Sequence, residues 1–319
     1  MRHVVSVPLS IAAGLACLLP VFALAQAPPA PPRGQKPADQ KPADQKPAEQ
    51  KPAEAKPAEQ KPPVKFVTSK DGTRIAYEMT GSGPAVMLLH GAGQTRQDWQ
   101  RIGYVKRLAP QFTVISVDLR GNGDSDKPIG SEKYGIDRLL EDLLAVADDA
   151  KAARFHLWGY AYGGLVGRSL AARSDRVQSF VYIGVPFGAP VSGVMKDAIT
   201  GFRARWLPVL QDEQAGKLDL KKLAPGDAEA WPRVRMLLSW QSALAEYPPV
   251  EPSEIRCPSL WVVGMSDAEA MTGVKAYEGK LAGTKVTLLT VDSLYHSATL
   301  ESIDLVFQKE LDFTLKAGG

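Results

Sequence analysis

Four clusters in this 319-residue sequence combine glycines with side chains that can carry charge or a proton. Leu88-Leu89-His90-Gly91-Ala92-Gly93 closes one apolar run, and Asp118-Leu119-Arg120-Gly121-Asn122-Gly123-Asp124-Ser125 closes the next. Gly159-Tyr160-Ala161-Tyr162-Gly163-Gly164 follows the short run Phe155–Trp158. Gly264-Met265-Ser266-Asp267 follows Ser259–Val263, and His296 follows the last run, Val286–Leu289. Glycine lets the backbone turn tightly and aim N–H groups at a ligand. The charged residues of the second cluster read as parts of a tight loop rather than as reacting groups. Four histidines occur in all: His3 near the N-terminus, His90 in the first cluster, His156 inside an apolar run, and His296.

The elements that would position these clusters alternate along residues 64–319. Thr73–Tyr77, Ala85–Leu89, Thr113–Val117, Phe155–Trp158, Val177–Ile183, Ser259–Val263 and Val286–Leu289 read as strands. Ile136, Leu139, Leu140, Leu143, Leu144 and Ala147 recur at helical spacing with acids between them, which predicts an amphipathic helix. Helices are also expected from Gly159 to about Ala172 and from Leu300 to about Leu315. Apolar strands alternating with helices predict an α/β fold, a mostly parallel central sheet with helices on both faces. Ligands of such sheets bind outside the strands' carboxyl ends, where the clusters fall. Residues 187–252 break the alternation: they hold Trp206, Trp231 and Trp240 and helical patterns but no strand, and read as a helical cap insertion. The three tryptophans either line a pocket or pack the cap, and packing is the commoner use.

Taken together, the clusters resemble the α/β-hydrolase family. The order His-Gly, Asp-x-Arg-Gly-x-Gly-x-Ser, elbow, cap, Gly-x-x-Asp, His spans nearly all of residues 66–315. Each motif alone is modest; all of them in order are specific. The resemblance implies an acid at Asp267, a general base at His296, and oxyanion donors from the backbone N–H groups of Ala92 and Tyr162. It also implies hydrolysis of an ester-like small acyl substrate. The departure is at the elbow, where the family places a nucleophile and this sequence has Ala161. A methyl group cannot attack a carbonyl, and losing the nucleophile of such a triad costs on the order of 10⁶ in rate. Gly159, Gly163 and Gly164 still permit the turn. Tyr160 and Tyr162 flank the elbow, and Ser266 and Ser297 flank Asp267 and His296, but none occupies the nucleophile position. Three readings stay open: an introduced change that traps substrate, a natural alanine with Asp267 and His296 acting directly on water or a substrate proton, or a non-catalytic ligand-binding or scaffold protein of the cell envelope.

The remaining sequence concerns location. Residues 1–27 have a basic start, an apolar stretch and Ala-x-Ala sites, and read as a secretory signal peptide. Residues 28–63 are Pro-rich and repeat Lys-Pro-Ala-Asp/Glu-Gln with one variant unit, a pattern that blocks a continuous helix and predicts a disordered linker. The expectation is an exported protein, periplasmic or secreted, with no stable membrane span after cleavage. The formal charge is +3, all of it within residues 1–63; residues 64–319 hold 30 basic and 30 acidic side chains. That balance argues against a nucleic-acid partner and leaves a small molecule as the expected one. Only Cys257 remains after cleavage, so no internal disulfide is expected, and its neighbours mark it as a buried structural thiol. No His- or Cys-rich spacing suggests a metal, and no cofactor is implied.

Overall fold

A computed structural model describes residues 62–318. The expected signal peptide, residues 1–27, and nearly all of the repeat region lie outside the described residues. The sheet has eight strands in the order β1-β2-β4-β3-β5-β6-β7-β8. They are β1 (Lys65–Thr68), β2 (Arg74–Thr80), β3 (Ala85–Leu89), β4 (Thr113–Val117), β5 (Phe155–Tyr160), β6 (Val177–Ile183), β7 (Ser259–Gly264) and β8 (Val286–Val291). β1 and β2 run antiparallel to their neighbours; every pairing from β4 through β8 is parallel. Central strands of a parallel sheet have both faces covered, so they must be apolar throughout. β5 and β7 are buried at every position and β3 at all but its first.

Helices cover the faces: α1 (Arg96–Ile102), α2 (Tyr104–Leu108), α3 (Ile136–Asp149), α4 (Tyr162–Arg173), α7 (Ala268–Tyr277), α8 (His296–Glu301) and α9 (Ile303–Gly318). In α3 the inward residues include Ile136, Leu139, Leu140, Leu143 and Val146. Asp142 shares that buried face because it pairs with the buried Arg120 at 2.6 Å. The closing helix expected from Leu300 to Leu315 is instead two, α8 and α9, interrupted at Ser302, whose ψ of 52° is not helical. α8 therefore begins at His296 itself.

Between β6 and β7 stand α5 (Gly193–Gln214) and α6 (Pro225–Leu244). Phe202, Trp206, Leu210, Trp231, Val234 and Leu238 form a small core of their own. Trp206 and Trp231 thus pack the insertion, with ring centroids 6.0 Å apart. Trp240 does something else: its ring meets Tyr162 edge-on at 5.1 Å, joining the insertion to α4. The two stems of the insertion meet in an antiparallel bridge between Gly188 and Val250.

Candidate active site

The β5–α4 turn is tight because its glycines have no room for side chains. A Cβ on Gly163 would lie 2.2 Å from the Leu89 carbonyl oxygen, and one on Gly159 would lie 2.6 Å from the carbonyl oxygen of Gly163. The turn is tied to the sheet by Ala161 N–H donating to the Ile183 carbonyl at 3.0 Å and to the His-Gly loop by Gly163 N–H donating to the His90 carbonyl at 3.0 Å. Between them Ala161 takes φ 47° and ψ −114°. A residue with a Cβ pays roughly 1–3 kcal/mol for such a conformation. The glycines build an elbow, and the elbow holds a strained alanine at its tip.

Asp267 follows β7 and caps α7; its Oδ1 accepts from the Ala270 N–H at 3.1 Å. Its other oxygen, Oδ2, lies 2.7 Å from Nδ1 of His296. Since an ionised carboxylate only accepts, the proton sits on Nδ1, which makes Nε2 the basic nitrogen. The imidazole is placed by two residues that sequence reasoning did not assign. Gly184, at the end of β6 with φ +77°, leaves the space the ring uses, since a Cβ there would lie 3.2 Å from His296 Cε1. Tyr160 lies with its ring centroid 5.3 Å from the imidazole, and its hydroxyl donates to the His296 carbonyl at 3.3 Å. The sequence reading set Tyr160 aside as a mere flank of the elbow. It is instead packed on the histidine, because β5 lies beside β6 and both end below α8. Neither signal is local in sequence; both depend on which strands are neighbours.

Ala92 and Tyr162, the expected oxyanion donors, lie in the loop after β3 and at the start of α4. Tyr162 is the first residue of α4, where an N–H has no intrahelical acceptor. Ala92 follows Gly91, whose own N–H is taken by Gln94 Oε1 at 2.9 Å. His90 is committed to structure: Nε2 accepts from the Leu119 N–H at 3.1 Å, so Nδ1 carries the proton and donates to the Gly91 carbonyl at 2.8 Å. Burial holds it well below the usual histidine range. His156 is likewise buried, with Nδ1 2.8 Å from Ser179 Oγ and a pKa lowered by burial to about 4. The charged loop after β4 is structural too. Asp118 binds the Arg96 guanidinium and backbone N–H and the Asp124 N–H, while Arg120 bridges Asp71 and Asp142.

Glu269, in the first turn of α7, is a further acid at the site. Burial raises its carboxyl above the ordinary range, the Asp267 charge adds to that, and His296 opposes it. The Tyr162 hydroxyl meets that of Tyr247 at 3.3 Å, which donates to the Tyr134 carbonyl at 2.7 Å. Among the described residues no group of three or more His, Cys, Asp or Glu side chains is placed to hold a metal ion. The His296–Asp267 pair can transfer a proton at His296 Nε2. The elbow tip offers no side-chain nucleophile.

Residues 84–267 match the family described as the alpha/beta hydrolase fold. An uncharacterized protein of Mycobacterium tuberculosis is 33% identical over 147 residues, 45% of this chain and 40% of that protein. A soluble epoxide hydrolase of Corynebacterium sp. is 34% identical over 130 residues, 38% of this chain and 45% of the relative. The chain thus spans less than half the length of these curated relatives. A solved thermophilic esterase of Thermogutta terrifontis has the same fold, with a TM-score of 0.59 at 20% identity, covering 80% of this chain and 99% of that one.

Proposed function

The chain belongs to the alpha/beta hydrolase family, and from that premise we propose that it binds an ester-like small acyl compound over Ala161, with the acyl-enzyme route closed. The observation that carries this reading is the pairing of His296 Nδ1 with Asp267 Oδ2 at 2.7 Å beside an elbow whose tip is a methyl group. His296 Nε2 can take a proton from water, and Asp267 would stabilise the imidazolium that forms. The attacking hydroxide would add to the substrate carbonyl, with the negative oxygen held by the N–H groups of Ala92 and Tyr162. A carboxylate-nucleophile route of the dehalogenase kind needs a side chain at the same tip, so Ala161 closes that as well. Residues 1–27 support placing this activity outside the cytoplasm.

The second reading is a ligand-binding module of the cell envelope. Ala161 favours it, because the elbow keeps its turn and loses the covalent step. Turnover of p-nitrophenyl esters by the chain and by Ala161→Ser separates the two. On the hydrolase reading, Ala161→Ser gains activity that a further His296→Ala removes. No gain in Ala161→Ser refutes the site assignment or the substrate class, and an acyl-enzyme burst from the unaltered chain refutes the closed route. Saturable binding without turnover selects the binding module.

A further inference from the structure

At the end of the sheet opposite His296, four parallel strands start side by side: β5 at Phe155, β6 at Val177, β7 at Ser259 and β8 at Val286. The residues leading into them line an open depression of about 270 Å³, whose lining includes Arg154, Arg256, Lys285, Asp175, Gln178 and Cys257. Three cations and one carboxylate line it, a local excess of positive charge in a stretch, residues 64–319, that is balanced as a whole. The cations are not consumed by ion pairs. Arg154 makes none among the described residues, and Lys285 Nζ donates to the Arg256 carbonyl rather than to an acid. Arg256 meets Asp175 at 3.3 Å, but both side chains are more than half exposed, so water screens the pair. The Cys257 side chain is buried, and burial raises its thiol so that it brings no negative charge.

We propose that this depression binds a phosphate-type oxyanion. Two arginines and a lysine line one depression, and Arg in particular binds a tetrahedral anion through paired N–H donors. The six residues of β7 separate the depression from Asp267, a distance of roughly 20 Å at strand rise, so the site is independent of the elbow. A free phosphate compound and a phospholipid headgroup share this chemistry.

Calorimetric titration with inorganic phosphate at low ionic strength, alongside sedimentation with phosphatidylglycerol and phosphatidylcholine vesicles, tests it. Saturable one-to-one phosphate binding is expected, weakened about tenfold or more by Arg154→Gln, Arg256→Gln or Lys285→Gln. The Lys309→Gln control on α9 should bind as the unaltered chain does. Sedimentation with phosphatidylglycerol vesicles alone, lost in Arg256→Gln, identifies a headgroup as the source; phosphate binding without sedimentation identifies a small molecule. The proposal is overturned if neither probe binds, or if what binds is insensitive to the three variants or equally sensitive to Lys309→Gln. Circular-dichroism melting of each variant separates lost binding from lost fold.

Discussion

Glu310, on α9, is fully buried, and neither of its carboxylate oxygens has a hydrogen-bond partner. It lies close to the Tyr104 hydroxyl, which donates to the Leu300 carbonyl at 3.3 Å, within the aromatic cluster of Tyr104, Trp158 and Phe307. Burial raises its pKa to about 8, against roughly 4.3 in an unfolded chain. The folded protein therefore keeps a proton that the unfolded chain releases. Stability is greatest below the unfolded value and falls as pH rises toward about 8, where it levels off. At about 1.4 kcal/mol per unit, the loss between pH 5 and 8.5 is about 4 kcal/mol. Glu310→Gln removes the titration and keeps the shape. Urea denaturation of both proteins across this pH range gives the difference in stability, in which all unchanged groups cancel. The difference should shift in favour of the glutamine variant by several kcal/mol from pH 5 to 8.5. Parallel stability curves would refute a buried, neutral Glu310.

Two other changes test the local arguments. Ala161→Gly relieves the φ of 47° and should raise stability by about 1 kcal/mol, after allowing for the extra freedom of glycine in the unfolded chain; a lower denaturation midpoint would contradict the strained elbow. Arg120→Met leaves Asp71 and Asp142 buried without their cation and should cost about 3–5 kcal/mol, read from the same denaturation curves; a loss below 1 kcal/mol would show that solvent already reaches the cluster.

The strands most legible in the sequence are those whose chemistry is decided locally. Ala85–Leu89, Thr113–Val117 and Val177–Ile183 have the bounds that their apolar runs gave. β1 escaped because it is a mostly exposed edge strand, with Phe66 46% exposed, and its four residues carry no buried run. α1 escaped although Thr95 and Asp98 form a capping box before Trp99, a signal available in the sequence. The tight turn at residues 159–164 was legible from its glycines, whereas Asp267 and His296 were singled out through the family resemblance, and the structure brings those two together at 2.7 Å. What could not be read is the support around them. Gly184 and Tyr160 act on His296 only because β5, β6 and β7 are neighbours, and Trp240 meets Tyr162 only because α6 folds back over α4.

The bridge between Gly188 and Val250, with N–H to carbonyl distances of 2.8 and 3.2 Å, makes everything between them a single loop in the topological sense. The chain leaves and re-enters the sheet at one point, and the excursion carries a core of its own. Closing a loop costs entropy that grows only slowly with its length, so a change of length at the outer turn between α5 and α6 should be tolerated better than one in Ala243, Leu244 or Tyr247, which belong to the main core. The bridge is thus a hinge-free root: the excursion is tied at its base by Gly188 and Val250 and again, through Trp240 and Tyr247, to Tyr162 at the first turn of α4.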